Sequence, residues 1–172
     1  MLGYKTVSVK SLNENVFTLF DEDWCLITSG NIDSFNTMTA SWGMMGILWN
    51  RPVAMCFIRP QRYTNLFVEK SDFYTLSFFE EQHRDILNFC GSNSGRDCNK
   101  IKETGLIPVF SDMGNIGYQQ AKLIFECKKL YNDNFKSDRF IEQYIIKNTY
   151  PMSDFHHFYI GEIVGCYMKD GN

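Results

Sequence analysis

Apolar positions in this 172-residue chain cluster into short runs punctuated by Gly, Pro, Asn, Asp and Ser, and no long helical period runs through them. WCLITS (24–29) and VAMCFI (53–58) are nearly continuous apolar runs, the pattern of strands covered on both faces. FYTLSFF (73–79), rich in aromatic and β-favouring residues, predicts a third strand. In AKLIFECKKL (121–130), Ala121, Leu123, Phe125 and Cys127 alternate against Lys122, Glu126 and Lys128, which predicts a half-exposed strand. HHFYIGEIVGCYM (156–168) is strand-like, with Gly161 and Gly165 marking a bulge or bend.

Between these runs lie short helical patterns. EEQHRDILNFC (80–90) carries acids in its first turn, directs Ile86, Leu87, Phe89 and Cys90 to one side, and meets a glycine stop at Gly91. Asp97 is placed to cap CNKIKET (98–104), which ends at Gly105 before Pro108. The spacing of Phe140, Tyr144 and Ile145 predicts a further helix over 138–147. Strands and small helices do not alternate regularly as in a doubly wound sheet, so the expected architecture is mainly β: an antiparallel barrel with peripheral short helices. The length suits a single domain over residues 1–172.

Composition narrows the chemistry. With 44% hydrophobic and 16% aromatic residues the chain has ample material for a packed core. A formal net charge of −3 provides no basic stripe for phosphate backbones, so nucleic-acid binding is not expected. No apolar run approaches a membrane span, and the start MLGYKTVSVK lacks the charged and apolar regions of a signal peptide, so a cytoplasmic protein is expected. The six cysteines are scattered, without a Cys-x-x-Cys pair or His-Glu-x-x-His, which points to reduced core thiols and no metal site. GNIG (114–117) reads as a turn, and no dinucleotide-binding glycine fingerprint is present. His83 and Cys90 are two helical turns apart, too far for a nucleophile and base within one helix.

Residues 36–64 carry the densest chemical signal. Arg59, Arg62 and Thr64 follow a buried strand at the point where TNLFVEK (64–70) would begin a helix. Two guanidiniums and a hydroxyl at a helix N-terminus form an anion site suited to a phosphate monoester. An alternative is that the arginines pair with Glu69 or Asp72 while Thr64 serves as an N-cap. NTMTASWG (36–43) reads as a loop of small hydroxyl and amide residues; it either approaches a planar, acceptor-rich ligand or merely turns a barrel corner.

NTMTASWG, WNRPV, FIRPQRYT, FYTLSFF, FCGSNSGRDCNKIKETGL and FHHFYIGEI, in this order, resemble the flavin reductase-like proteins with an FMN-binding split barrel, including flavoredoxin-type members. The resemblance spans roughly residues 20–167. It implies a six-stranded antiparallel Greek-key split β-barrel, a homodimer, and FMN near the dimer interface. Matched by motif, Asn36, Thr37, Met38, Thr39, Ala40 and Ser41 face the isoalloxazine ring, and Arg59, Arg62, Tyr63 and Thr64 clamp the ribityl phosphate. Ser77, Phe78 and Phe79 form a second wall, and Ser94, Gly95, Arg96 and Asp97 a loop close to the flavin or its phosphate. Where many relatives have His followed by Arg before the last strand, this chain has His156-His157. His156 either hydrogen-bonds flavin or substrate or sits at a barrel end. Trp24, Trp42 and Trp49 either stack on flavin or are buried in the core or at a dimer interface.

The function so implied is an FMN-dependent oxidoreductase that takes hydride from NAD(P)H and passes electrons to free flavin or another acceptor. The cofactor does the chemistry, and the protein orients and tunes it. The alternatives are an FMN-containing electron carrier without NAD(P)H turnover and a non-redox flavin binder.

Overall fold

The apolar runs pair as an antiparallel sheet. The structure is a computed structural model and describes residues 1–170. Its strands are β1 (Tyr4–Thr6), β2 (Cys25–Gly30), β3 (Phe35–Ala40), β4 (Gly43–Leu48), β5 (Arg51–Ile58), β6 (Phe73–Phe78), β7 (Pro108–Phe110), β8 (Ile116–Tyr118), β9 (Leu123–Asn134) and β10 (His157–Lys169). Six of them run in the order β3-β2-β6-β9-β10-β5; β4 extends this path as a hairpin on β5, and β1 pairs with the end of β10. One core cluster draws Ile27 from β2, Met38 from β3, Ile58 from β5, Leu76 from β6, Phe125 from β9 and Tyr159 from β10. Edge and central strands therefore share one interior, as the curled sheet of a barrel requires.

Period-2 alternation explains why the outer face of the same strands is also buried. Leu26 and Ile124 face away from the barrel core into a second cluster with Phe79, Leu87, Cys90 and Tyr118. That layer is supplied by the Arg84–Ser92 helix and by the two-stranded β7–β8 hairpin. Among the described residues no helix is long and apolar enough to cross a membrane.

Several local expectations are corrected. Trp24 lies outside β2 at φ 62, so the strand begins at Cys25. Phe79 falls just after β6. NTMTA is strand β3, not a loop: its alternating, β-branched threonines pair with β2 from Thr28↔Thr37 to Cys25↔Ala40. The helix continues through Gly91 to Ser92, so the glycine does not stop it. The next helix is Lys100–Thr104, capped by Asn99 and not Asp97; the Asn99 side chain accepts from the Lys102 N–H. Gly105 does end it, at φ 68. The helix expected over 138–147 is a short 3-10 turn, Ser137–Arg139, followed by a helix at Gln143–Thr149.

Glu126 corrects the reading of β9 as half-exposed. Its side chain is fully buried at 0% exposure and accepts hydrogen bonds from Ser111, from Asn115 Nδ2 at 2.7 Å and from the Tyr167 hydroxyl at 2.8 Å. The β10 register shifts at Ile160/Gly161 and Ile163/Gly165, so both glycines mark bulges. A Cβ at Gly161 would lie 2.7 Å from the Tyr74 hydroxyl and 2.9 Å from the Cys127 Cβ. Tyr74 is pinned by hydrogen bonds to the carbonyls of Ala54 and Tyr159, so it has little room to yield. Gly161→Ala is expected to cost about 1 to 3 kcal/mol by overpacking, read as a lower urea midpoint at unchanged slope.

Candidate functional site

The Arg51–Ile58 strand delivers Arg59 directly to the barrel end. The chain then turns through an Arg62 N–H to Arg59 carbonyl bond of 3.0 Å and starts the Tyr63–Lys70 helix. Arg62 is the N-cap and no side chain caps the first turn, so its N–H groups face outward with the positive end of the helix dipole. Thr64 is therefore not the cap. It is wholly buried, and its hydroxyl accepts from Asn36 Nδ2 at 2.7 Å, leaving its own hydrogen to donate.

A cavity of about 470 Å³ opens in front of this helix start. Its walls include Asn36, Arg62, Thr64, Ser94, Arg96 and Lys100. Arg62 donates to the Gly91 carbonyl at 2.6 Å, and burial together with neighbouring Arg59 lowers its pKa. Arg96 lies over the Tyr63 ring at 4.7 Å and donates to the Gln61 carbonyl. Gly95 lets this loop reach the site, because a Cβ there would collide with the Asn36 side chain.

Lys100 was missed by sequence reasoning, which placed it on a peripheral helix. It is only 5% exposed, and Nζ donates to the carbonyls of Thr37 at 2.8 Å and Cys90 at 2.7 Å. Burial lowers its pKa. Two acceptors leave one of its three N–H donors for a ligand. A faint signal was present in NKIKET, where Lys100 and Lys102 fall on different faces of one short helix.

A second cavity of about 190 Å³ adjoins the first through Met38, Arg59 and Arg62, and is closed by Thr39, Ala40, Ser41, Trp42, Phe57 and His156. Thr39 donates to the Leu87 carbonyl at 2.5 Å, so it holds β3 against the helix. Thr37 lines neither of these two cavities; its hydroxyl bonds Thr28 and the Ile27 carbonyl. Ser77, Phe78 and Phe79 form no wall of either cavity. Phe78 packs against Phe20 and Phe125 in the barrel core, and Phe79 lies against His83 and Tyr118 in the outer layer. Ser77 is buried between them with a hydroxyl that lacks a partner.

Arg59 lines both cavities, yet it is already engaged. It forms an ion pair with Asp154, donates to the Thr149 carbonyl at 2.9 Å, and lies over the Tyr150 ring at 5.5 Å. The pairing with Glu69 or Asp72 is not formed. Glu69 instead accepts from Asn65 and lies 3.4 Å from His157. A larger cleft of about 770 Å³ shares Asn36, Gly95, Arg96, Asp97 and Lys100 and adds Asp33 and Lys102, but it lacks Arg59 and Arg62, so the smaller cationic cavity suits an anion better. Of the remaining candidates, Cys90 is core, its thiol pushed up to about 11 by burial, while Trp42 and Trp49 are about half exposed and only Trp42 lines one of these cavities.

Residues 19–172 match the model of the flavin reductase like domain. The chain belongs to the flavin reductase-like family. It is similar in fold to the FMN-binding protein of Thermus thermophilus, at 17% identity over 97% of this chain and 83% of that one, with a TM-score of 0.70. Flavoredoxin from Methanosarcina acetivorans is alike at 16% identity, with 95% and 77% covered and a TM-score of 0.69. The NADH:FAD oxidoreductase of Streptomyces globisporus is alike at 13% identity, with 91% and 80% covered and a TM-score of 0.67. No curated protein matches the chain. At these identities the flavin reductase-like chain shares the split-barrel fold of its neighbours, and its chemistry rests on its own residues.

Proposed function

We propose that this flavin reductase-like protein binds FMN and acts as an NAD(P)H-dependent flavin oxidoreductase, working as a homodimer. The carrying observation is the junction of a cationic cavity with a smaller one, walled on its far side by Ala40, Ser41, Trp42 and Phe57, through Met38, Arg59 and Arg62. FMN is a dianion at one end and a flat, acceptor-rich ring at the other, and the two cavities match these ends in order. Arg62, Arg96 and Lys100 supply charge for the phosphate, with the Thr64 and Ser94 hydroxyls as further donors. Asn36 would be a further polar contact in the same cavity, and Met38, Ala40, Ser41 and Trp42 would wall the ring.

When bound, FMN supplies the two-electron step between a reduced nicotinamide and an acceptor. The protein's part is to anchor the phosphate, exclude water from one face and set the donors around the ring. Relatives with this fold include an NADH:FAD oxidoreductase and flavoredoxins, which supports a redox role. The dimer reading is supported by the exposed Met44, Ile47, Leu48 and Trp49 on the edge strand β4 and its hairpin turn. An apolar sheet edge of that kind is usually covered.

The test is the spectrum of protein mixed with FMN, desalted, and then given NADH and NADPH without oxygen. A retained band at about 450 nm that bleaches with either nucleotide is expected. A retained band that neither bleaches replaces the reductase reading with an electron carrier, and no retained band removes the cofactor assignment. Sedimentation of the same sample is expected to show a dimer; a monomer there removes the dimer.

A further inference from the structure

Tyr150 follows the Gln143–Thr149 helix as its C-terminal cap and is 4% exposed. Its hydroxyl lies 2.9 Å from Nδ1 of His156, the rings meeting edge-on with centroids 5.6 Å apart. On another side the Trp42 ring lies 5.1 Å from the imidazole. His156 is thus held between two aromatic side chains on the wall of the ring cavity.

The Tyr150–His156 contact has two possible proton arrangements. If Nδ1–H donated to the hydroxyl, the buried Tyr150 O–H would need another acceptor, and the described residues provide none. If Tyr150 donates to a bare Nδ1, both groups are satisfied and the ring proton sits on Nε2. Nε2 makes no hydrogen bond to the described protein, so it is the polar atom left for a ligand. Protonation of both nitrogens is opposed by burial and by Arg59, Arg62 and His157, with only Asp154 favouring it, and the pKa falls to about 4.

We propose that Tyr150 is a positioning residue: it fixes His156 as the Nε2–H tautomer and makes it a neutral donor toward the acceptor edge of a flat heteroaromatic ligand in the ring cavity. The identity of that ligand rests on the FMN reading; the tautomer does not.

The experiment is a long-range proton–nitrogen correlation on protein labelled with 15N-histidine, free of added ligand. His156 is identified by the signals lost in His156→Gln. Its expected pattern is a bare Nδ1 and a protonated Nε2, constant from about pH 8 to about pH 5.5, below the ordinary imidazole midpoint. In Tyr150→Phe, which keeps the ring and its packing, the tautomers are expected to mix and the midpoint to rise by about one pH unit or more, since a donor to the neutral form is gone. Unmoved signals from His83 and His157 establish that this variant is folded. An Nδ1–H pattern in the unaltered protein, or an unchanged tautomer in Tyr150→Phe, overturns the proposal.

Addition of FMN then reads the donor role. A shift of the Nε2 proton that Tyr150→Phe diminishes is expected, together with an altered flavin reduction potential in that variant. If FMN binds and the Nε2 proton does not move, the donor role is wrong. If flavin fluorescence shows that FMN does not bind, the cofactor reading fails and takes the donor role with it, while the tautomer result stands.

Discussion

Replacing Arg62 and Arg96 together by alanine is expected to weaken FMN binding by about 2 to 5 kcal/mol, a loss of roughly thirtyfold to a few thousandfold. A charge-assisted bond to phosphate is typically worth about 1.5 to 3 kcal/mol. Arg62 should lie at the upper end because it is half-buried, fixed on the Gly91 carbonyl and set at the helix N-terminus. Arg96 should lie lower because it is exposed and reaches the site from a loop. Arg59→Ala is expected to cost less than Arg62→Ala, since the Arg59 guanidinium is already neutralised by Asp154. Quenching of flavin fluorescence in a titration measures all three. An unchanged affinity in the Arg62/Arg96 double variant would remove the phosphate site, and a larger loss for Arg59→Ala than for Arg62→Ala would mean that FMN displaces Asp154.

The cationic helix start was legible in FIRPQRYT because its parts are local: a strand, a turn and a helix start lie within eight residues. The bulges at Gly161 and Gly165 were legible for the same reason, as glycines interrupting an otherwise apolar strand. What depended on distant chain was not. Arg59 finds Asp154 across 95 residues, and Lys100 reaches Thr37 across 63, partnerships with no trace in periodicity. Gly91 was misread because a glycine after an amphipathic run signals a stop, whereas here the helix carries one residue past it to Ser92. The motif resemblance placed Ser77, Phe78 and Phe79 at the flavin, yet strand alternation inside a sheet covered on both faces sends all three into packed layers. His156, left between a ligand contact and a barrel end, lines the smaller cavity, and sequence reasoning gave no role to its partner Tyr150, which lies six residues before it.

Glu126→Ala is expected to lower stability by about 3 to 5 kcal/mol, a large share of the roughly 5 to 15 kcal/mol that holds a domain of this size together. Three donors, from Ser111, Asn115 and Tyr167, lose their shared acceptor at once, and the removed side chain leaves a void. Ser111 and Asn115 are less deeply buried than Glu126 and can recover water, which keeps the total below three full desolvation costs. Glu126→Gln retains the shape and one carbonyl acceptor, so it should cost only about 1 to 2 kcal/mol. Urea denaturation of both variants at unchanged slope checks the order; a cost below about 1 kcal/mol for Glu126→Ala would show that the cluster does not clamp the hairpin. The effect should also reach the site, because the same hairpin carries Tyr118, which accepts from the Thr28 hydroxyl at 3.2 Å. Thr28 in turn bonds Thr37, whose carbonyl receives Lys100. A loosened hairpin therefore slackens the strand on which Lys100 is seated, and FMN affinity in Glu126→Ala should fall as well, though by less than in the Arg62/Arg96 variant, whose charges act on the phosphate directly.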